Sequence, residues 1–322
     1  MPDVHAARGG ITGTAPADIR RNRIDTVLRH SPLQPVFRAL AAGRLAVLAY
    51  HGIDDRRSFA AQMARLARTA RPVSLARVEQ ALREGRPLPP RSVLVTFDDG
   101  DRSLLTHGLP VLARHGIPAA AFVIAGLIGG DRPFWWSEAA FLVGHGGTAD
   151  GLPPGTAPDA AVRLLKRLPD GERRRRLEGL RSTAAAPAPR QPQLSPEDLR
   201  TLRDAGVAIG NHTVDHPCLD TCTREESAEQ VERAHHLLAG WLGEEPTSFA
   251  YPNGNPDPHA ERALAGLDYR TAFLFDHRHD RRLPRQPLRI SRLRVNACTT
   301  PHRFDTILSG LHPAVHRLRG GS

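Results

Sequence analysis

The sequence contains little cysteine, few aromatic residues and almost no lysine. Its 322 residues include three cysteines, and aromatic residues make up 5% of the chain. Three cysteines are too few for a disulfide framework, and their odd number favours a reducing compartment. Lys166 is the only lysine, so the formal net charge of +10 comes almost wholly from arginine.

The sequence also lacks a long apolar run. Arginine, aspartate and histidine interrupt residues 1–35 throughout, which is not typical of a signal peptide. No window approaches the roughly 20 apolar residues of a membrane-spanning helix. We therefore expect no transmembrane segment and a cytoplasmic location, unless the protein is exported by another route.

The excess of positive charge does not by itself predict a nucleic-acid partner. Its densest run is four consecutive arginines at residues 173–176, in a polar stretch without interleaved aromatic residues. No nucleic-acid-binding module is recognisable in the chain. We interpret the run as a solvated helix face and expect no nucleic-acid partner.

Short apolar runs alternate with stretches of helical spacing along most of the chain. The runs at 45–50, 92–97, 119–124, 207–210, 248–251 and 271–275 predict buried strands. This alternation predicts an α/β fold with a mostly parallel sheet, and about seven such units favour a barrel-like closure. We interpret residues 1–44 as an N-terminal extension, residues 45–322 as one catalytic domain, and residues 144–195 as an insertion with one or two short helices.

Two adjacent carboxylates follow the second predicted strand. Asp98 and Asp99 come directly after residues 92–97, and Gly100 allows the chain to turn sharply. Adjacent carboxylates repel each other unless a cation or a proton separates them. Because neighbouring side chains point in different directions, one could bind a metal while the other takes a proton from water. A helix N-cap is the competing interpretation, since a helix follows.

Two histidines follow the fourth predicted strand. His212 and His216 are four residues apart, so a helical turn would place them on one face, where they could hold a divalent ion such as zinc. The chain has 16 histidines, and such pairs also arise by chance. A structural zinc site with Cys218 and Cys222 is the rival interpretation. We consider it unreachable because structural fingers leave about twelve or more residues between their ligand pairs.

A tight turn follows the fifth predicted strand. Tyr251, Pro252, Asn253 and Gly254 predict an ordered loop that could present backbone N–H groups to a developing oxyanion, with a plain turn as the alternative. One aspartate and two histidines around an ion leave positions open for water and substrate, as in catalytic sites. The combination predicts metal-assisted hydrolysis of a carbonyl compound.

Taken in order, these motifs resemble those of the polysaccharide deacetylase family (carbohydrate esterase family four), which includes chitooligosaccharide deacetylases. Residues 96–100 read T-F-D-D-G like the family's first motif, and residues 212–216 read H-T-V-D-H like its second. The stretches at 48–52, 116–119, 135–136 and 249–254 are also similar. The resemblance covers about residues 45–300 apart from the insertion, and it implies a distorted (β/α) barrel.

The resemblance implies a role for each motif residue. Asp98 would be the general base, and Asp99, His212 and His216 would hold the metal, usually zinc in this family. A metal-bound water would attack an acetamide, and a backbone N–H of residues 251–253 would help to hold the oxyanion. The implied activity is removal of N-acetyl groups from an acetylated amino sugar in a polysaccharide, an oligosaccharide or a glycan precursor.

The chain departs from the family pattern in two places. Ala250 and Asn253 stand where the family's third motif has arginine and tyrosine, so an arginine that orients the base must come from elsewhere. Arg292, in a late predicted strand, is our candidate, with a solvated arginine as the alternative. The family's late leucine–histidine motif, which supplies the general acid, has no clean match, and the general acid stays unassigned.

Further candidates for the site are a histidine and a tryptophan pair. His51 ends the first predicted strand, so we expect it to face the same mouth, with a buried polar contact as the alternative. Trp136, next to Trp135, could stack on the apolar face of a sugar or pack in the core.

Two other functions stay open at this point. A deformylase, or another amide or ester hydrolase of a small molecule, would use the same residues. A non-catalytic carbohydrate-binding relic would show the loss of a core residue, and Asp98, Asp99, His212 and His216 are all present.

Overall fold

The computed structural model describes residues 26–153 and 155–318, so most of the expected extension at 1–44 lies outside the described residues. The strands are β1 (Arg44–Tyr50), β2 (Arg71–Pro72), β3 (Ser92–Phe97), β4 (Ala119–Val123), β5 (Val207–Asn211), β6 (Ser248–Ala250), β7 (Thr271–Phe273), β8 (Asp280–Arg281) and β9 (Leu293–Arg294). The longer helices are α1 (Gln34–Ala42), α2 (Arg56–Thr69), α3 (Leu75–Glu84), α4 (Leu109–His115), α5 (Trp135–Gly144), α6 (Pro158–Leu165), α7 (Asp170–Thr183), α8 (Pro196–Asp204), α9 (Arg224–Leu242), α10 (Pro258–Gly266), α11 (Pro301–Leu308) and α12 (Leu311–Leu318). Within these ranges, no helix is both long enough and apolar enough to cross a membrane.

The strands form one curled, mostly parallel sheet. Its order is β7-β6-β5-β4-β3-β1-β8, with β2 paired to β3 and β9 paired to β1. Every pair is parallel except β1 with β8. The register aligns Tyr50 with Phe97 and Asn211 with Phe249, so the loops that follow these strands emerge at one edge. The predicted distorted (β/α) barrel is confirmed.

A short segment joins the two ends of the sheet. Ile290 forms an isolated parallel bridge with Phe273 of β7, and β9 pairs with β1 through Leu293 and Leu48. Residues 290–294 therefore close the gap between β7 and β1. Arg292 lies in this closing segment, and it is fully buried.

Both faces of the sheet are buried, which explains why the strands are continuous apolar runs. In β1, Ala46, Leu48 and Tyr50 pack in one hydrophobic cluster with the surrounding helices. Leu45 and Val47, which point to the other face, pack in a second cluster. The same alternation in β3 places Thr96 and Asp98 on one face of that strand.

Side-chain caps fix the helices that flank the site loops. Ser195 and Asp198 form the two reciprocal bonds of a capping box at the start of α8. Thr223 and Glu226 do the same for α9, directly after the loop with the histidines. Each box satisfies two N–H groups that would otherwise be left open at the helix start. The two helices therefore begin at well-defined residues.

The stretch at 144–195 contains α6 and α7, which pack on α5. A separate hydrophobic cluster joins the three helices through Trp136, Leu142, Val162, Leu177 and Leu180. The stretch thus forms a small helical layer against the body of the barrel, next to the end of β5.

Candidate active site

Asp98 and Arg292 form a buried ion pair at the end of β3. Arg292 Nη1 and Nη2 donate to the two carboxylate oxygens of Asp98 at 2.6 and 2.7 Å. The guanidinium also donates through Nε to the Leu274 carbonyl at 2.6 Å and through Nη1 to Thr96 Oγ1 at 3.2 Å. A two-bond contact of this kind fixes both the position and the plane of the carboxylate. The structure thus places Arg292 beside Asp98, and not in solvent.

The charge of Asp98 reflects a balance between burial and Arg292. Burial raises the pKa of this carboxyl, but the Arg292 guanidinium and the imidazoles of His212 and His51 outweigh it, so the pKa lies below its usual value. Asp98 is therefore ionised at neutral pH. An ionised carboxylate held in a fixed plane is a suitable proton acceptor.

Asp99, His212 and His216 form a group of buried side chains that could hold a metal. One ligand atom from each lies within 4.8 Å of the others. Asp99 Oδ1 lies 3.5 Å from His212 Nε2 and 3.4 Å from His216 Nε2. Ligand atoms about 2.0–2.1 Å from a tetrahedral ion are separated by roughly 3.4 Å. The two distances from Asp99 Oδ1 to the imidazole nitrogens thus match the separation of ligand atoms around such an ion.

Hydrogen bonds orient this group for metal binding. His212 Nδ1 lies 2.7 Å from the Ala250 carbonyl, which can only accept, so Nδ1 carries the proton and Nε2 presents its lone pair. Asp99 Oδ1 is buried and has no hydrogen-bond partner among the described residues. An unsatisfied buried carboxylate oxygen costs free energy, and a cation between Asp99 and the histidines would remove that cost. The residues fit a divalent metal.

The histidine loop is not the helical turn that the four-residue spacing predicts. Thr213 and His216 both have positive φ, 68° and 54°, which a helix does not allow. Thr213 N donates to Asn211 Oδ1 at 2.7 Å, and His216 N donates to Thr213 Oγ1 at 3.0 Å. A β-branched residue at positive φ is strained, and such strain persists only where the surroundings enforce it. The prediction of a helical turn was therefore wrong, although the two imidazoles do converge.

Side chains from other elements hold the carbonyls and amides of this loop. Gln230 Oε1 accepts from Val214 N at 3.1 Å and from Asp215 N at 2.9 Å. On the other side, Trp135 Nε1 donates to the His216 carbonyl at 3.1 Å. The loop is thus fixed from both α9 and α5.

Arg173 is the third support of the loop, and it corrects our interpretation of the arginine run as a solvated face. Its side chain is 3% exposed. It donates to the carbonyls of His216 and Asp215 at 3.1 and 3.0 Å, and to the buried Asp170 carboxylate at 2.5 Å. The guanidinium also lies 4.7 Å above the Trp135 ring, a cation–π contact. Sequence reasoning missed Arg173 because four consecutive arginines give no signal for which one is buried.

A cavity of about 340 Å³ opens beside the group of Asp99, His212 and His216. Asp98, His212, His216, His51 and Asn253 are among the residues that line it. A volume of this size lies within the range of roughly 300–1,000 Å³ that small-molecule sites have. The structure thus brings the side chains that follow β1, β3, β5 and β6 to one cavity.

The loop after β6 offers fewer hydrogen-bond donors for an oxyanion than expected. Tyr251 N donates to the Phe273 carbonyl at 3.1 Å, and its hydroxyl donates to the Leu288 carbonyl at 3.1 Å. Pro252 has no N–H. Asn253, with φ of 57°, therefore supplies the remaining N–H of residues 251–253. Tyr251 lines the cavity, but both of its donors are engaged elsewhere, so Asn253 is the better placed of the two to donate to an oxyanion.

Trp136 is not positioned to stack on a sugar. It is 5% exposed, and its ring stacks on Phe134 at 4.9 Å and contacts the His216 ring at 4.8 Å. It is not among the described residues that line the cavity. Trp136 therefore packs against the imidazole of His216. The cysteines are not part of the candidate metal-binding group found among the described residues.

Comparison with known proteins agrees with this architecture. The sequence model of the polysaccharide deacetylase family matches residues 85–272, which is more than half of the chain. Over 48 residues the chain is 46% identical to the poly-β-1,6-N-acetyl-D-glucosamine N-deacetylase of Escherichia coli K12. That segment covers 15% of this chain and 7% of the E. coli protein.

Solved structures share the fold over most of the chain. The deacetylase PplD of Streptococcus pyogenes, in complex with acetate, superposes with a TM-score of 0.58 and 16% identity, over 82% of this chain and 98% of that one. IcaB of Ammonifex degensii superposes with a TM-score of 0.57 and 24% identity, over 83% of this chain and 96% of that one. At these identities the likeness establishes a common fold.

Proposed function

The chain belongs to the polysaccharide deacetylase family, and from this premise we propose that it is a metal-dependent hydrolase that removes N-acetyl groups from an acetylated amino sugar. The substrate would be a polysaccharide, an oligosaccharide or a glycan precursor. The observation that carries the proposal is the pairing of two carboxylates at one strand end. Asp99 faces two imidazoles in a buried group, and Asp98 beside it is held by Arg292 and lines the cavity.

Asp99, His212 and His216 would hold a divalent metal, most simply zinc. Two neutral imidazoles and one carboxylate are a donor set that zinc prefers, and three protein ligands leave room for water and substrate. When bound there, the metal would polarise the acetamide carbonyl and lower the pKa of a coordinated water.

Asp98 would act as the general base. It lines the cavity, it is ionised, and the Arg292 fork holds its carboxylate in one plane. The carboxylate would take the proton from the water that attacks the acetamide carbon. Because Arg292 is itself held by Thr96 and by the Leu274 carbonyl, the base does not have to reorganise during the reaction.

His51 and Asn253 also line the cavity, and we assign each of them a role in the reaction. The Asn253 N–H would donate to the oxyanion that forms on the carbonyl oxygen. His51 is the lining imidazole that lies outside the metal-ligating group, so it would deliver the proton that the departing amine needs. Acetate and the free amino sugar would then leave.

Acetate release tests this proposal. We would assay protein of measured metal content with acetylated amino sugars and chitooligosaccharides, alongside the variants Asp98→Asn and Asp131→Asn. Asp131 is half exposed and pairs with Arg190, so its variant controls for the loss of one carboxylate elsewhere. We expect acetate from the wild type and Asp131→Asn, and a loss of at least about 100-fold in Asp98→Asn.

Other outcomes would change the assignment. A metal-loaded protein that releases no acetate but releases formate or another acyl group would identify an amide hydrolase of a different kind. Protein that retains no metal and still binds acetylated sugars would contradict the enzyme proposal altogether.

A further inference from the structure

The stretch at 144–195 brings basic side chains to the catalytic cavity. Arg163 lies in α6, Lys166 and Arg167 follow its last residue, and all three line the same cavity as Asp98 and His212. We call Arg163, Lys166 and Arg167 the basic rim. The proposed chemistry at the metal uses none of them.

Hydrogen bonds connect the residues that follow the basic rim to neighbouring parts of the fold. The Leu168 carbonyl, directly after the rim, accepts from Thr221 Oγ1 at 3.0 Å. Three residues beyond the start of α7, Arg173 Nη1 donates to the carbonyl of His216 at 3.1 Å. The first bond ties the residue after the basic rim to the turn at Leu219–Thr221, and the second ties the helix after the rim to the histidine loop. The distance of the basic rim from the metal-ligating group is therefore set by the fold.

The position of Lys166 agrees with this geometry. Cys218, two residues after His216, also lines the cavity. Lys166 therefore lines the same cavity as a residue that closely follows the histidine loop.

The charge around the cavity is predominantly positive. A fourth cation, Arg294, lines it and is anchored by two bonds to the Phe275 carbonyl at 3.0 and 2.8 Å. Against these, the lining carboxylates are Asp98, which Arg292 neutralises, and Asp220. Low-dielectric walls that carry charge of one sign concentrate ligands of the opposite sign.

Resting on the proposed deacetylase activity, we infer that the basic rim binds an oxyanion, phosphate or carboxylate, carried by the acetylated sugar apart from its acetamide. Guanidinium groups contact such oxygens in pairs, and an ammonium adds a point charge. The substrate class is therefore an anionic acetylated amino sugar, and the stretch at 144–195 selects it.

A kinetic comparison tests this specificity. N-acetylglucosamine, N-acetylglucosamine 1-phosphate and N-acetylmuramic acid would be compared with wild type, Arg167→Gln and the double variant Arg163→Gln/Arg167→Gln. The matched control is Arg175→Gln, an exposed arginine on α7 away from the cavity. We expect the KM of an anionic sugar to rise about two- to fivefold for each lost cation, with the KM of the neutral sugar unchanged. Added salt should reduce the difference.

Because Lys166 is the only lysine, its acylation gives a readout that needs no turnover. The metal-loaded protein would be treated briefly with an amine-acylating ester, with an added lysine peptide as the reference for reagent consumption. We expect an anionic sugar to slow acylation of Lys166, the neutral sugar to leave it unchanged, and the double variant to lose the protection. Protection by the phosphate sugar alone or by N-acetylmuramic acid alone would identify which oxyanion is bound.

The two proposals fail differently. Protection of Lys166 without acetate release would overturn the deacetylase activity and keep the anion site. Equal KM values for neutral and anionic sugars, or protection that persists in the double variant, would overturn the basic rim while leaving the deacetylase activity intact.

Discussion

Replacing Arg173 by methionine should weaken metal binding, although this residue is no metal ligand. Arg173 is buried and holds the carbonyls of His216 and Asp215 with Nη1 and Nη2. His216 has a φ of 54°, and its conformation depends on such support. Partners that orient a metal ligand contribute about 10- to 100-fold to metal affinity, and we expect a loss of this size.

The same substitution should also lower the free energy of unfolding. Asp170 would lose its bond from Arg173 at 2.5 Å and keep those from Arg174 and Gln230. Removing one partner of a buried pair costs about 3–5 kcal/mol, and the remaining partners place this case at the lower end. Arg173→Lys keeps the charge but not the planar fork, so its losses should be intermediate.

Metal affinity would be measured by competition with a chromogenic chelator, and ligand geometry by the absorption spectrum of the cobalt-loaded protein. Arg175→Met serves as the control, since Arg175 is exposed on the same helix. Denaturant unfolding of the metal-free proteins separates stability from metal binding. Folded Arg173→Met with the metal affinity and cobalt spectrum of the control would refute the argument that this arginine positions His216.

Arg292→Lys should lower kcat by at least about 100-fold with metal content unchanged, because one ammonium cannot hold both oxygens of Asp98; a steady-state assay of metal-loaded protein checks this. Burial, together with nearby histidines and arginines, lowers the pKa of His277 to about 2, whereas an unfolded histidine titrates near 6.5. As the pH falls, the unfolded state therefore takes up a proton on this histidine before the folded state does. The free energy of unfolding should fall by about 2 kcal/mol between pH 6.5 and 5, and by less in His277→Asn; urea unfolding at both pH values checks this. Gly254→Ala should cost more than Gly116→Ala in thermal unfolding, since the new Cβ at 254 would lie 2.2 Å from a neighbouring side-chain atom, whereas nothing lies within 4 Å at 116.

The strand ends of the site could be predicted because each follows a continuous apolar run. Buried parallel strands require such runs on both faces, and Asp98, His212 and Tyr251 are the first residues after them. Parallel strands end at the same edge of the sheet, so residues that directly follow such strands are expected to lie close together. The sequence prediction of the core of the fold succeeded for this reason.

The conformation of the histidine loop could not be predicted from spacing. The helical interpretation used a local rule, but the chain at Thr213 and His216 is held in a strained conformation by distant groups. Gln230 comes from α9 and Trp135 from α5. Contacts between elements far apart in sequence leave no local pattern. The contact between the Trp136 ring and the His216 ring likewise leaves no local pattern in the sequence.

The absence of the third-motif arginine at position 250 and the origin of Arg292 are connected through the barrel interior. Ala250 replaces an arginine there, and it packs in the same hydrophobic cluster as Phe122 and Ile290. The guanidinium of Arg292 lies 5.7 Å from the Phe122 ring and reaches Asp98 from the segment that closes the barrel. An arginine side chain at position 250 would compete with the Arg292 side chain for the same interior space. A small residue at this position of β6 is therefore compatible with an arginine that comes from the closing segment. Arg292 lies between an isolated bridge at Ile290 and the two-residue strand β9, and such short pairings show no periodicity, so Arg292 was predicted from the need of Asp98 for an arginine.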